Sequence, residues 1–418
     1  MADSTAGRRD TSAQAGLVDW TAATDFAAKL IPAGPRLPKS EAQDLVADLR
    51  AAAEASVEPI LETTRMRPAP GLPQDRFGQV LVVDRANWAA SNISMMAQLT
   101  EPVLAGMARL VPSTAPTQLG AGAEVAAMMA VMAPRVLGQF DPYSALHPNP
   151  VVEQPLVVEA PQSGGHETTP VIAGSTRNLA AEAGSTRNLA AEPSRQGQLL
   201  LIAPNVAQTE KQLDVDPADF RLWVCLHEQT HGLQFAAAPW LSPFMYAQIG
   251  GLLDAMTQKA VATANATFWQ KLIEAFTVVR DLTRGLVQGG PAPFEVLLGA
   301  DAQEKFGTVS AVMALLEGHA DVMMDEVGPA VVPTVAEIRE KFENRRDGKD
   351  QPAAGVALRK LLGMDAKLAQ YRDGARFVRG VEELVGRDGF NAIWTSPETL
   401  PLPGEIVNPA AWVRRIHG

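Results

Sequence analysis

Asp216-Pro217-Ala218-Asp219-Phe220-Arg221-Leu222-Trp223-Val224-Cys225-Leu226-His227-Glu228-Gln229-Thr230-His231 decides how the rest of this chain is read. Asp216 is a helix N-cap, Pro217 suits the first helical position, and Asp219 places an acid in the first turn, where the helix dipole favours it. Phe220, Trp223, Val224, His227, His231 and Phe235 recur at three- and four-residue spacing, and Pro239 limits the far end. The two histidines therefore lie one turn apart on the buried stripe of one helix. Imidazoles on an apolar stripe need polar partners. A pair of core histidines satisfied by hydrogen bonds is the plain reading. Glu228 directly after the first histidine completes H-E-x-x-H, in which both rings hold a zinc ion and the Glu acts as general base on water.

A catalytic zinc takes three protein ligands and keeps one position open. His231 is followed by Gly232-Leu233-Gln234-Phe235, so H-x-x-G-x-x-H is not continued and the third ligand must come from elsewhere. The best candidate is Glu317, in Leu315-Leu316-Glu317-Gly318-His319-Ala320-Asp321. Val309, Val312, Met313, Leu316, Ala320 and Met324 mark a helix stripe, with Glu317 and Asp321 beside it at i and i+4. Two carboxylates on a largely buried face are costly without cations or donors. A zinc bound by Glu317 relieves one, and Asp321 is expected to accept the free N–H of a ligand histidine. Gly318 leaves room for another backbone or a substrate. Glu317 paired with a Lys or Arg is the plain alternative. His319 points away from Glu317 by about 200° of helix rotation. It is read as a surface or supporting residue, or as the ligand in place of Glu317.

The composition is that of an ordinary water-soluble globular chain of 418 residues, 46% hydrophobic and 20% charged. A net charge of -11 argues against nucleic acid and against an anionic membrane surface as partners. No apolar run is long enough for a transmembrane helix. The lone Cys225 excludes an intrachain disulfide framework and reads as a small buried hydrophobe. With no secretory pattern at the start, a cytoplasmic protein is expected.

Residues 1–18 read as a disordered tail, and 19–418 as one mainly α domain with a small β component. Helical pattern from Trp20 to Leu61 is broken by Pro32, Pro35 and Pro38, and Pro68, Pro70 and Pro73 mark a loop. Val80–Val83 and Leu199–Ile202 are strand candidates, the second ending at Pro204-Asn205. Helices are expected near 87–111, 121–136, 241–260, 264–288, 308–327, 334–346 and 355–386, with an extended stretch from Trp394. Residues 141–197 form a long loop insertion in which AGSTRNLAAE at 173–182 recurs at 183–192. That period is too short for a solenoid.

HEQTH followed far along the chain by E-x-x-x-D resembles the gluzincin metallopeptidases, such as thermolysin. The resemblance implies Glu317 as third zinc ligand and Asp321 orienting a ligand histidine. Longer phrases, GQLLLIAPN, FRLWVCLHEQTHGLQF, LLEGHADVMMD and GFNAIWTSPETLP, resemble an actinobacterial family of zincin-like hydrolases. These are labelled zinc-dependent metalloproteases and have been called coenzyme F420 biosynthesis-associated. That resemblance covers most of 75–415 and implies a zincin-like architecture and zinc. By analogy with zincins, Leu199–Ile202 is expected as an edge strand that pairs with extended peptide.

The expected function is zinc-dependent hydrolysis of a peptide or small amide. The metal is held by His227, His231 and Glu317, and Glu228 moves the water proton to the leaving amine. Tyr371 is the candidate donor to the developing oxyanion, with His319 second. Tyr371 also fits the core stripe of Leu361, Met364, Leu368, Ala375 and Val378. The competing readings are a zinc-stabilised scaffold without catalysis and a metallohydrolase of non-peptide small molecules. Glu228 favours an enzyme, because a purely structural site needs no general base.

Overall fold

Leu199-Leu200-Leu201-Ile202 is apolar at every position because the strand it forms is covered on both faces. In the computed structural model, which describes residues 16–108, 114–145, 197–262, 300–346 and 364–418, three strands form one sheet. They are β1 (Gln79–Val83), β2 (Gly138–Asp141) and β3 (Gln198–Ile202), in the order β1-β3-β2. β1 runs parallel to β3, with Val80 opposite Leu199 and Val83 opposite Ile202. β2 runs antiparallel to β3, with Gly138 opposite Leu201 and Asp141 opposite Gln198. β3 is the central strand, not an edge, and the edge beside it is β2, which falls where a loop was about to begin. β2 is a short Gly-Gln-Phe-Asp segment with no apolar alternation to betray it.

Alternate side chains of β3 enter two different cores, as the two-residue period of a strand requires. Leu199 and Leu201, with Val82 and Phe140, join the core that holds the H-E-x-x-H helix. Leu200 and Ile202, with Leu81 and Val83, join a second core built on α1 (Trp20–Leu30), α4 (Arg85–Ala108) and α5 (Ala115–Met132). Between them, α2 (Lys39–Ala55) and α3 (Val57–Thr64) cover the first core. The expected mainly α, α+β class holds. The α5 helix starts earlier than expected, because Thr114 and Thr117 form a capping box and Pro116 sits in the first turn.

Pro204 and Asn205 do not end β3 in a turn. They open α6 (Ala203–Leu213), where Pro204 takes an early helical position. Asn205 is buried and donates to the Ala133 and Val136 carbonyls at 2.6 and 2.5 Å. α7 (Pro217–Ala237) carries the H-E-x-x-H motif and α8 (Leu241–Ala262) follows it. The later helices are α9 (Ala300–Glu326), α10 (Val335–Arg346) and α11 (Met364–Phe390). The chain after Trp394 is not extended. It forms α12 (Pro403–Ile406) and α13 (Pro409–His417), each with a proline in its first turn, and Trp412 is fully buried. Prolines that read as breakers are helix starts here.

The tail at 1–15, the repeat-bearing segment at 146–196, the helix expected over 264–288 and the first part of that expected over 355–386 lie outside the described residues. Among the described residues, no helix is long and apolar enough to cross a membrane.

Candidate metal centre

The start signals of α7 work as written. The Asp216 side chain accepts from the Asp219 N–H at 3.0 Å, and Asp219 in turn accepts from the Thr334 N–H and hydroxyl at 2.8 and 2.6 Å. The helix ends at Ala237, just before Pro239. Its burial is broader than a single stripe. Cys225, Leu226, Gln229, Thr230, Leu233 and Gln234 are buried as well, so α7 is a core helix covered nearly all round. His227 and His231 lie on its more open side, with side chains 23% and 12% exposed. Cys225 contacts the Leu49 carbonyl, and burial raises its thiol pKa, in keeping with an inert core residue.

Tertiary packing brings Glu317 of α9 to the two histidines. His231 Nε2 lies 3.2 Å from His227 Nε2, and Glu317 Oε2 lies 3.5 Å from the first histidine and 3.6 Å from the second. A tetrahedral zinc with bonds of about 2.0–2.1 Å needs its ligand atoms roughly 3.3–3.5 Å apart, and the three sides of this triangle fit it. Glu317 is 21% exposed, so a route to solvent remains on that side. Among the described residues this is the one group of three metal-capable side chains with its ligand atoms within 4.8 Å.

His231, Glu317 and Glu228 set one another's charge states. Burial opposes charge on His231, but the hydrogen bond and charge of Glu317, with Glu228 and Gln234, lift its pKa to about 9. Burial likewise resists ionisation of Glu317, yet the two histidines pull its carboxyl well below the usual carboxylate range. Glu228 is raised by burial and further by Glu317, against the opposing pull of both histidines and of the Phe140 N–H. That N–H belongs to β2. Gly138, also on β2, faces Glu228 so closely that a Cβ there would fall 2.5 Å from Glu228 Cγ. On the other face of β2, Gln139 is gripped by Trp88 Nε1 at 2.7 Å and by Asn92. The edge strand is thus pinned from behind and presents its glycine and an N–H to Glu228.

The supporting groups differ from those expected. Among the described residues, Asp321 contacts no histidine. It is paired with Arg339 Nη1 at 2.8 Å, and the same guanidinium binds Asp325 and lies over the Trp223 ring. An Arg one helix away cannot be foreseen from E-x-x-x-D, and with its carboxylate turned to Arg339, Asp321 does not accept the free N–H of either histidine as expected. His227 Nδ1 instead meets Met324 Sδ at 3.3 Å. Thioether sulfur only accepts, so Nδ1 carries the proton and Nε2 keeps its lone pair for the site. His231 Nδ1 meets Gln234 Oε1 at 2.9 Å, a partner the sequence reading missed although it sits at i+3 on the same face.

His319 is not at the surface. It is fully buried, its ring stacks on Phe390 at 5.4 Å, and burial, Arg387 and His231 lower its pKa to about 3. Its Nδ1 lies 3.0 Å from Gln234 Nε2. An oxyanion role for it fails, because a ring closed in by Phe390 and Trp394 is shut off from substrate. Gly318 serves backbone approach: a Cβ there would fall 2.1 Å from the Gly374 carbonyl carbon of α11. Tyr371 falls in the early turns of α11, and its side chain lies outside the described residues.

A family described as zincin-like metallopeptidase matches residues 18–413. A crystal structure from Chloroflexus aurantiacus, described as a "putative hydrolase with a novel fold", is similar with a TM-score of 0.56. The likeness covers 96% of this chain and 99% of that one at 23% identity, and it speaks to the fold. Among curated proteins nothing matches.

Proposed function

The chain belongs to the zincin-like metallopeptidase family, and from that premise we propose that it is a zinc-dependent peptidase whose metal is held by His227, His231 and Glu317. The observation that carries this reading is the triangle of two Nε2 atoms and one carboxylate oxygen, 3.2–3.6 Å on a side, with Glu228 packed beside it. A zinc ion in that place supplies Lewis acidity and lowers the pKa of water to about 7. The remaining work falls to the chain. Met324 and Gln234 hold the ring tautomers that leave both Nε2 lone pairs facing inward. Glu228, raised by burial, accepts a proton at its carboxylate from the attacking water and delivers it to the leaving amine. The Phe140 N–H and the cradle at Gly138 hold that carboxylate in line.

Among the described residues β2 is a sheet edge next to Glu228, and an extended peptide added along it as a further strand is the proposed mode of substrate binding. This moves the proposed substrate edge from β3 to β2.

Metal content and cleavage of a broad peptide library test the reading together. Wild type should carry about one zinc per chain, Glu317→Ala should lose it, and Glu228→Gln should keep the metal and lose cleavage. Zinc kept in Glu317→Ala but lost in His319→Ala would overturn the ligand set. Undiminished cleavage in Glu228→Gln would overturn the mechanism.

A further inference from the structure

Gln234 is fully buried between the two helices that supply the proposed ligands, and each of its amide groups is used. Nε2 lies 2.9 Å from the Leu316 carbonyl and 3.0 Å from His319 Nδ1, and Oε1 lies 2.9 Å from His231 Nδ1. A backbone carbonyl only accepts. The amide atom facing Leu316 must therefore be the NH2, and the atom facing His231 must be the oxygen. That oxygen only accepts, so His231 Nδ1 carries hydrogen and its Nε2 is the nitrogen left for the metal. The direction of one hydrogen bond thus passes from the α9 backbone through Gln234 to His231. Leu316 directly precedes Glu317, so the same amide also ties the turn that bears Glu317 to the helix that bears both histidines.

His319 completes the arrangement. Its Nδ1 accepts from Gln234, and its ring is held by Phe390 face-on at 5.4 Å and by Trp394 edge-on at 5.3 Å. Its Nε2 has no partner among the described residues. Leaving a buried nitrogen unpaired is costly, and an apolar residue would fill the aromatic slot without that cost. What a histidine adds there is an acceptor aimed at Gln234.

Resting on the metal-site reading above, we propose that Gln234 is a positioning residue. It fixes the tautomer of His231 and locks Glu317 in register with the two histidines, and His319 holds its amide in place. The motif that builds this site is then H-E-x-x-H-x-x-Q joined to E-x-H on α9.

The test uses the full chain and two readouts. The first is the Nδ1–H of His231, followed by nitrogen-resolved NMR in the metal-free protein and identified by its loss in His231→Ala. In wild type it should be a slowly exchanging Nδ1–H, and in Gln234→Met it should exchange too fast to observe. The second is zinc affinity by chelator competition, which should fall about 10–100-fold in Gln234→Met, the usual effect of losing a ligand's hydrogen-bond partner. An affinity within twofold of wild type, or an unchanged N–H in the variant, would overturn the proposal. If Gln234→Met does not fold, wild type alone decides, because a His231 ring carrying hydrogen on Nε2 and not on Nδ1 would overturn it. A wild type that binds no zinc would sink the metal-site reading, and the N–H readout would still decide the role of Gln234.

Discussion

Substituting Gly318 by Ala should destabilise the protein, against the ordinary preference of helices for alanine. An added Cβ would lie 2.1 Å from the Gly374 carbonyl carbon and 2.3 Å from the Ala375 nitrogen. Ordinary contact begins near 3.4 Å, so α9 and α11 must part by about 1.3 Å at their crossing. Both obstructing atoms are helix backbone, and no side chain can rotate away. Overpacking of this kind costs about 1–3 kcal/mol and sometimes more, against which alanine recovers up to about 1 kcal/mol of helix propensity. A net loss of roughly 2 kcal/mol is expected. Equilibrium urea unfolding with a chelator present measures it without the contribution of bound metal. Gly250, in the interior of α8 with nothing within 4 Å of its would-be Cβ, is the control. There the same change should stabilise by about 0.4–1 kcal/mol. Zinc affinity should also drop in Gly318→Ala, since Glu317 is the neighbouring residue and moves with the helix. A Gly318→Ala protein as stable as wild type would refute the close crossing on which the placement of Glu317 depends.

Gly138→Ala should keep zinc and lose cleavage, because its Cβ displaces Glu228 and leaves the three ligands alone. A shift near 1 Å in a catalytic group costs about 10²-fold in rate, and the library assay with a parallel metal measurement checks both halves. The metal-free protein should lose stability as pH rises through about 9. His231 has its pKa raised from 6.5 to about 9, so its contribution is fully present below 6.5 and vanishes above 9. Glu228, also raised, acts in the same sense. Glu317 is lowered from 4.5, so its contribution is present above that value and is lost as the pH falls further. Urea midpoints of chelator-treated protein should therefore decline from about pH 6.5 toward pH 9, and a flat profile over 6.5–9 would show that the ion pair of His231 and Glu317 does not form.

The motif helix was legible because its information is local. An Asp cap, a proline at the first position, histidines at i and i+4 and a limiting Pro239 all act within one element, and α7 runs from Pro217 to Ala237 accordingly. The apolar run at 199–202 was legible as a strand for the same reason. What that run could not show is its neighbours. A strand buried on both faces has no alternation to mark which edges are paired, so nothing in 199–202 separates a central strand from an edge, and β2, one of the two edges, carries no apolar alternation of its own. Prolines at 204, 403 and 409 misled because the same fixed φ both ends one helix and starts the next.

At the proposed metal centre the division falls between the candidate ligands and the groups that touch them. Residue chemistry alone singled out His227, Glu228, His231 and Glu317 as candidates, since two imidazoles and a carboxylate on apolar faces need polar partners and a cation is one way to supply them. The contacts behind them depend on how helices distant in sequence cross. Asp321 is drawn off by Arg339 from α10, His227 rests on Met324, and His231 is answered by Gln234, whose amide is oriented by a carbonyl of α9. The sequence by itself thus determined the motif helix, the mostly α class and the shared face of His227 and His231, because spacing within a helix fixes which side chains share a face. Only the tertiary structure decided which strands are edges and which groups face the two histidines and Asp321, because those contacts are set by how α7, α9 and α10, separated in sequence, approach one another.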